Sequence, residues 1–314
     1  MRIAIFGAGG AGGYFGGRLA LAGGDVVFLA RGAHLAALRR DGMVLDGPDG
    51  ERRIAALAAT DDPAAVGPVD VVLLAVKTWQ VAPAVGALAP LLGPETFVVP
   101  LQNGVETAAQ LVAALGAERV VGGVCGTVSW VAEPGRIRSL GEVHFVRFGE
   151  LDGRASRRCE RLLEEFQRAG VRAEVPADIE VASWEKFLFV VPMGGVGAVT
   201  RMPIGIVRAL PETRRLLAGA MREIFELGRA RGVALADGAV ERSLGFVDAL
   251  AAEATSSLQR DLAAGRRSEL EAWSGAVVRL GRAAGAPVPI HDVLYGALLP
   301  LELAARGELD ATPI

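Results

Sequence analysis

Residues 2–12 read Arg2-Ile3-Ala4-Ile5-Phe6-Gly7-Ala8-Gly9-Gly10-Ala11-Gly12. The apolar, β-branched start predicts a strand, and the glycines predict a turn into a helix that begins near Gly10. In such a turn each glycine has its own task. Gly7 permits the tight reversal, Gly9 lets backbone approach a pyrophosphate, and Gly12 lets helix and strand pack closely. The helix N-terminus then faces the negative charge, so Gly7, Ala8, Gly9, Gly10, Ala11 and Gly12 are expected to line a dinucleotide. Glycine is common in this chain, 41 of 314 residues, so the spacing alone is weak. Its place between a strand and the apolar stretch Tyr14 to Leu21 is what gives it weight.

The second strand, Asp25-Val26-Val27-Phe28-Leu29-Ala30-Arg31, ends without an acidic residue. A carboxylate at that point would bind the ribose 2′-hydroxyl of NAD and repel a 2′-phosphate. Arg31 offers instead a planar guanidinium able to grip a phosphate in two places, which favours NADP. The competing reading makes Arg31 an ordinary surface arginine.

At this length two domains are the default. The formal net charge is −3 and basic residues occur only in short pairs such as Arg39-Arg40, so nucleic acid is not an expected partner and a small-molecule substrate is. Cys125, Cys159 and the three histidines have no metal-ligand spacing, and no metal site is expected. The most apolar run, Phe187 to Val199, contains a proline and three glycines and is too short to span a bilayer, so no membrane association is expected. No secretory signal pattern is present, which predicts a cytoplasmic protein. A homodimer remains open.

Up to about residue 176, β-rich runs alternate with helical patterns. Expected strands are 2–6, 26–30, 69–76, 96–101 and 119–128, forming a parallel, doubly wound sheet of the Rossmann type. Small edge strands are expected around Gly47-Pro48-Asp49-Gly50, an antiparallel excursion over 136–148, a helix over 155–169 and a last strand over 171–175. Beyond Pro176 apolar residues recur at helical spacing, predicting helices over 178–199, 211–232, 237–264, 268–284 and 290–306. The expected division is therefore an NADP-binding domain over 1–176 and an all-helical substrate and catalytic domain over 177–314.

Polar residues just beyond the carboxyl ends of parallel strands are the ones to inspect for chemistry. Lys77 follows one such strand and Asn103 the next. Lys77 could hold anionic groups of cofactor or substrate, and Asn103 could offer both donor and acceptor to the nicotinamide carboxamide. Each is equally readable as an ordinary post-strand charge and an ordinary turn. In the helical half, Lys186 enters a very apolar segment, where burial would tune it for proton transfer. A surface lysine paired with a carboxylate fits the same spacing. Ser268-Glu269-Leu270-Glu271 reads as a capping box, which places Glu269 toward the apolar face or leaves it as a complement to the helix dipole.

Taken together, Gly7 to Gly12, Arg31-Gly32, Val76-Lys77-Thr78-Trp79-Gln80, Gln102-Asn103-Gly104, Trp184-Glu185-Lys186, Ser256-Ser257 with Asp261, and Glu269 resemble the ketopantoate reductase (2-dehydropantoate 2-reductase) family over essentially the whole chain. The resemblance implies an enzyme that reduces a 2-oxo acid with NADPH, ketopantoate to pantoate above all, in pantothenate biosynthesis. It makes Lys186 the general acid and Glu269 its orienting partner or a ligand of the new hydroxyl. Asn103 and Lys77 would position nicotinamide, ribose and substrate, and Ser257 the substrate carboxylate. In one respect the chain departs from the family. Asparagines expected one and two helical turns after the lysine are Val190 and Gly194, and two others are Ile204 and Ala254. An apolar wall at Val190 and Gly194 leaves two alternatives: a family member acting on a bulkier, more apolar 2-oxo or 3-oxo acid, and a non-catalytic NADPH-binding sensor.

Overall fold

The computed structural model describes residues 1–310, apart from the side chains of 142 and 143. Its contacts divide the chain into two compact units. One comprises Met1–Gln102 and Thr107–Ala182; the other comprises Asn103–Glu106 and the chain from Ser183 onward. Compared with the expected boundary at 176/177, the division falls a helical turn or two later, inside a helix, and four residues near 103 go with the second unit.

In the first unit the elements are β1 (Arg2–Phe6), α1 (Gly10–Leu21), β2 (Asp25–Leu29), α2 (Gly32–Asp41), β3 (Met43–Gly47), β4 (Gly50–Ile54), β5 (Ala58–Thr60), β6 (Val69–Leu74), α3 (Val81–Leu88), β7 (Leu92–Pro100), α4 (Thr107–Leu115), β8 (Val121–Glu133), β9 (Arg136–Glu150), α5 (Arg157–Arg168) and β10 (Arg172–Glu174). A parallel sheet runs β5-β2-β1-β6-β7, with Ile3 to Phe6 paired to β2 on one side and β6 on the other. Apart from exposed Arg2 and half-buried Asp70, β1 and β6 are buried on both faces and correspondingly apolar. A second sheet runs β10-β9-β3-β4, with β8 paired antiparallel to β9.

One expected strand therefore changes sheets. Residues 119–128 were to extend the parallel sheet, but only the bridge between Val98 and Val120 does so; from Val121 the chain pairs with β9. The outer part of the ribbon leaves Val128, Trp130 and Leu140 exposed, a pattern suited to a two-stranded ribbon and not to a doubly covered strand. Helix α1 lies between the two sheets. Gly16 meets Ile5 and Phe28 of the first, while Gly17 meets Leu45 of the second, and a Cβ at either would fall within about 3 Å of those side chains. Only small residues fit at these two positions.

The remaining helices are α6 (Ile179–Thr200), α7 (Ile204–Ala209), α8 (Pro211–Ala230), α9 (Ala239–Ala249), α10 (Ser257–Ala263), α11 (Ser274–Ala284) and α12 (Pro289–Ala305). The single helix expected over 237–264 is broken. Arg208 Nη1 donates to the carbonyls of Val247 and Leu250, both at 2.7 Å, closing α9; the carbonyls of Ala252 and Ala254 accept from Gly205 and Ile204. Ser256 then caps α10, its Oγ accepting from Gln259 N at 3.0 Å.

The capping box expected at 268–271 does not form. Ser268 donates through its N–H and its hydroxyl to Glu302 Oε2, at 2.8 and 2.6 Å, so Glu271 does not receive that N–H, while Ser268 Oγ still accepts from Leu270 N at 3.3 Å. A short 3₁₀ turn over Leu270–Ala272 follows, and α11 begins only after Trp273. Residues 311–314, the end of the expected helical domain, lie outside the described residues.

Candidate active site

The first unit presents the glycine turn as the spacing requires. Gly7 has φ +104°, and its N–H and that of Ala8 donate to Leu29 O at 3.1 and 3.3 Å, which folds the turn onto the end of β2. A Cβ on Gly12 would lie 2.0 Å from Gly7 O, so no side chain fits between helix and turn. A Cβ on Gly9 would meet nothing within 4 Å. Gly10 is closed by a feature the sequence did not disclose: β8 crosses it, with Ser129 O 2.2 Å from the position of a Cβ. The first turn of α1 carries no acidic residue and no side-chain cap, which suits a phosphate at its N–H groups, while Ala11 packs against the core.

Arg31 is the N-cap residue of α2, exposed, beside Gly32 at φ +58°. His34, one turn on, accepts from Gly135 N at Nδ1 (3.1 Å), and burial holds its pKa below the usual imidazole value. Lys77 caps a 3₁₀ turn over Thr78–Gln80, with its ammonium 5.7 Å from the centre of the Trp79 ring. Gln102 carries a role that its place beside Asn103 could have suggested. Its buried amide donates to the carbonyls of Leu74 and Val76, at 2.8 and 2.9 Å, tying the end of β7 to the end of β6.

In the second unit, two of the expected site residues meet. Lys186 Nζ, half-buried on α6, donates to Asn103 Oδ1 at 2.5 Å. Lysine is a donor only, so the amide oxygen must face it. One of the two lone pairs of the Asn103 oxygen is thereby taken by the lysine.

Glu269 is buried, at the N-cap position of the 3₁₀ turn instead of in a first helical turn. Ser257 is the first residue of α10, partly buried beside the capping Ser256. Val190 is partly buried and Gly194 buried on α6. Gly194 does not enlarge the site, because a Cβ there would lie 2.5 Å from Cζ3 of the fully buried Trp273. Ile204 and Ala254 are joined through their backbones at 3.0 Å. Among the described residues no group of three or more His, Cys, Asp or Glu could hold a metal, and no helix is long and apolar enough to cross a membrane.

The parallel sheet, the glycine turn and the lysine on α6 define a dinucleotide-binding oxidoreductase. The family described as ketopantoate reductase PanE/ApbA matches residues 3–153, and its C-terminal region matches residues 178–302. The chain belongs to the ketopantoate reductase family. It is 34% identical to the 2-dehydropantoate 2-reductase of Mesorhizobium japonicum, covering 98% of this chain and 99% of that one. The crystal structure of 2-dehydropantoate 2-reductase from Geobacter metallireducens superposes with a TM-score of 0.90 at 32% identity, over 95% of this chain and 99% of that one. A D-mandelate dehydrogenase solved with NADH and anilino(oxo)acetate shares the fold, with a TM-score of 0.89 at 19% identity over 98% and 100% of the two chains.

Proposed function

We propose that this chain reduces ketopantoate to pantoate with NADPH, Lys186 acting as the general acid. The observation that carries the reading is the 2.5 Å bond from Lys186 Nζ to Asn103 Oδ1, which fixes the direction of the ammonium. The reduced nicotinamide supplies a hydride to C2 of the oxo acid. The open space at Gly9 and the uncapped first turn of α1 suit the pyrophosphate, and exposed Arg31 suits a 2′-phosphate. Lys186 donates a hydrogen bond to the carbonyl oxygen, stabilises the charge that develops there and releases a proton to it. Asn103 keeps the ammonium in place, and Glu269 orients it or binds the new hydroxyl. Lys77 holds an anionic group of cofactor or substrate, and Ser257 takes the substrate carboxylate.

Initial rates with ketopantoate and either NADPH or NADH test the reading. Turnover with NADPH preferred is expected, and its absence at millimolar ketopantoate would remove the proposal. Lys186→Ala should cut kcat by about 10²-fold or more while NADPH still binds. If Lys186→Ala and Glu269→Ala abolish nothing measurable, a non-catalytic NADPH-binding role is favoured instead. A second reading rests on Val190, an apolar and only partly buried residue one turn after Lys186 on α6. Such a residue suits a more apolar 2-oxo acid, and higher kcat/KM on branched-chain or aromatic 2-oxo acids than on ketopantoate would select it.

A further inference from the structure

Residues Asn103–Glu106 form neither helix nor strand, and Gly104 sits at φ +129°, so the local chain does not fix itself. It is anchored at both ends within the second unit. Asn103 meets Lys186, and Glu106 Oε2 accepts from Arg279 Nη2 on α11 at 2.9 Å. Between them, the site of a Cβ on Gly104 lies 3.4 Å from Ala272 O, which brings the segment against the turn that follows Glu269. We propose that Arg279 is a positioning residue: by clasping Glu106 it sets the segment on which Asn103 holds the Lys186 ammonium.

The clasp has a rigid base. Arg279 also donates to Glu271, to the carbonyl at 3.0 Å and to Oε2 at 3.3 Å. Glu271 in turn accepts from the Tyr295 hydroxyl at 2.9 Å and lies 3.6 Å from Arg306, which is bonded to fully buried Glu302. Glu302 holds Ser268, the residue before Glu269. One charge network thus fixes the segments that carry Asn103 and Glu269. Arg279 is half-exposed, so the pair contributes little to global stability. Its leverage is on geometry, where a displacement of about 1 Å is worth up to about 10²-fold in rate.

The inference rests on the lysine reading above, so its test includes a readout independent of turnover. Arg279→Met, Glu106→Gln, their double variant and Arg279→Lys would be compared for kcat, KM, NADPH affinity by nicotinamide fluorescence, thermal midpoint, and the rate of Lys186 amidination followed by peptide mass spectrometry. Each of the first two changes should lower kcat about tenfold, with NADPH affinity within about twofold and the midpoint nearly unmoved. The double variant should be no worse than the poorer single, Arg279→Lys should recover part of the loss, and Lys186 should be modified several-fold faster once the clasp is open. Parent-like kcat in both single variants, multiplying losses in the double, or unchanged Lys186 modification overturns the clasp. If Lys186→Ala keeps full activity, the general-acid reading falls, and the amidination rate still decides the role of Arg279.

Discussion

Glycine to alanine inside a helix normally adds about 1 kcal/mol of stability, because the unfolded chain loses freedom. At Gly194 the sign should reverse. A Cβ built there lies 2.5 Å from Trp273 Cζ3, 2.9 Å from Cε3 and 3.4 Å from Ser256 Oγ. Carbon atoms in contact prefer about 3.5–4.0 Å, so the indole must retreat by about 1 Å. Trp273 is only 1% exposed and has no free volume to retreat into, which puts the cost of overpacking at about 1–3 kcal/mol. Gly296 on α12 is the internal reference, since a Cβ there meets nothing within 4 Å.

The propensity gain is common to both sites and cancels between Gly194→Ala and Gly296→Ala. Gly194→Ala should therefore be the less stable by about 1–3 kcal/mol. For a unit of this size that difference lowers the melting midpoint by roughly 2–10 °C, measurable by scanning calorimetry. Gly194→Asn, which reinstates the family's amide, should be worse still, and should recover when Trp273 is cut to Ala, with a coupling of about 1 kcal/mol or more. A Gly194→Ala protein as stable as Gly296→Ala would refute the packing argument.

Arg31→Ala should raise the KM for NADPH about 10–100-fold, from the loss of a charge-assisted contact of about 1.5–3 kcal/mol, and leave that for NADH nearly unmoved; equal losses for both would place the 2′-phosphate elsewhere. Glu302→Ala strands the Ser268 N–H and hydroxyl and the Arg306 guanidinium, so urea unfolding should show a loss of about 3–5 kcal/mol, and a loss under about 1 kcal/mol would mean that the network is idle. Burial holds the pKa of His34 and of His144 below the ordinary value, so the folded state prefers both neutral while the unfolded chain takes up protons near pH 6.5. Stability should be insensitive to these groups above about pH 6.5 and fall on acidification below it; replacing both by Gln should flatten that limb, and an unchanged limb would exclude them as its source. Asn103→Asp should bind the ammonium as an ion pair and lower kcat, whereas equal activity would show that the neutral amide is not required.

The parts of the fold that were legible in the sequence are those whose cause is local. The glycine turn, α1 and the buried strands β1 and β6 follow from residues within a dozen positions of one another, and they formed where expected. The failures share a different origin. The helix expected over 237–264 was broken by Arg208, some 40 residues upstream, which takes carbonyls that a continuous helix would have used. The reciprocal half of the capping box at Ser268 was displaced by Glu302, 34 residues on, whose buried carboxylate takes the Ser268 N–H and hydroxyl. At the site, Lys186 and Asn103 were both singled out, yet their bond spans 83 positions, and the Glu106–Arg279 pair spans 173. Gly194 was visible as a missing amide, but not as the complement of Trp273.

The pairing of Lys186 with an amide also bears on how a proton donor can be kept in register through a cycle. An amide oxygen accepts from an ammonium and from a neutral amine alike, because each retains an N–H to donate. The bond at 2.5 Å can therefore persist on both sides of proton transfer, with no rearrangement of the side chain. A device of that kind depends on where the amide is, not on its charge. Asn103 lies on a segment without regular structure, so the ion pairs that hold that segment to the helical unit carry the positional requirement that the amide itself cannot supply.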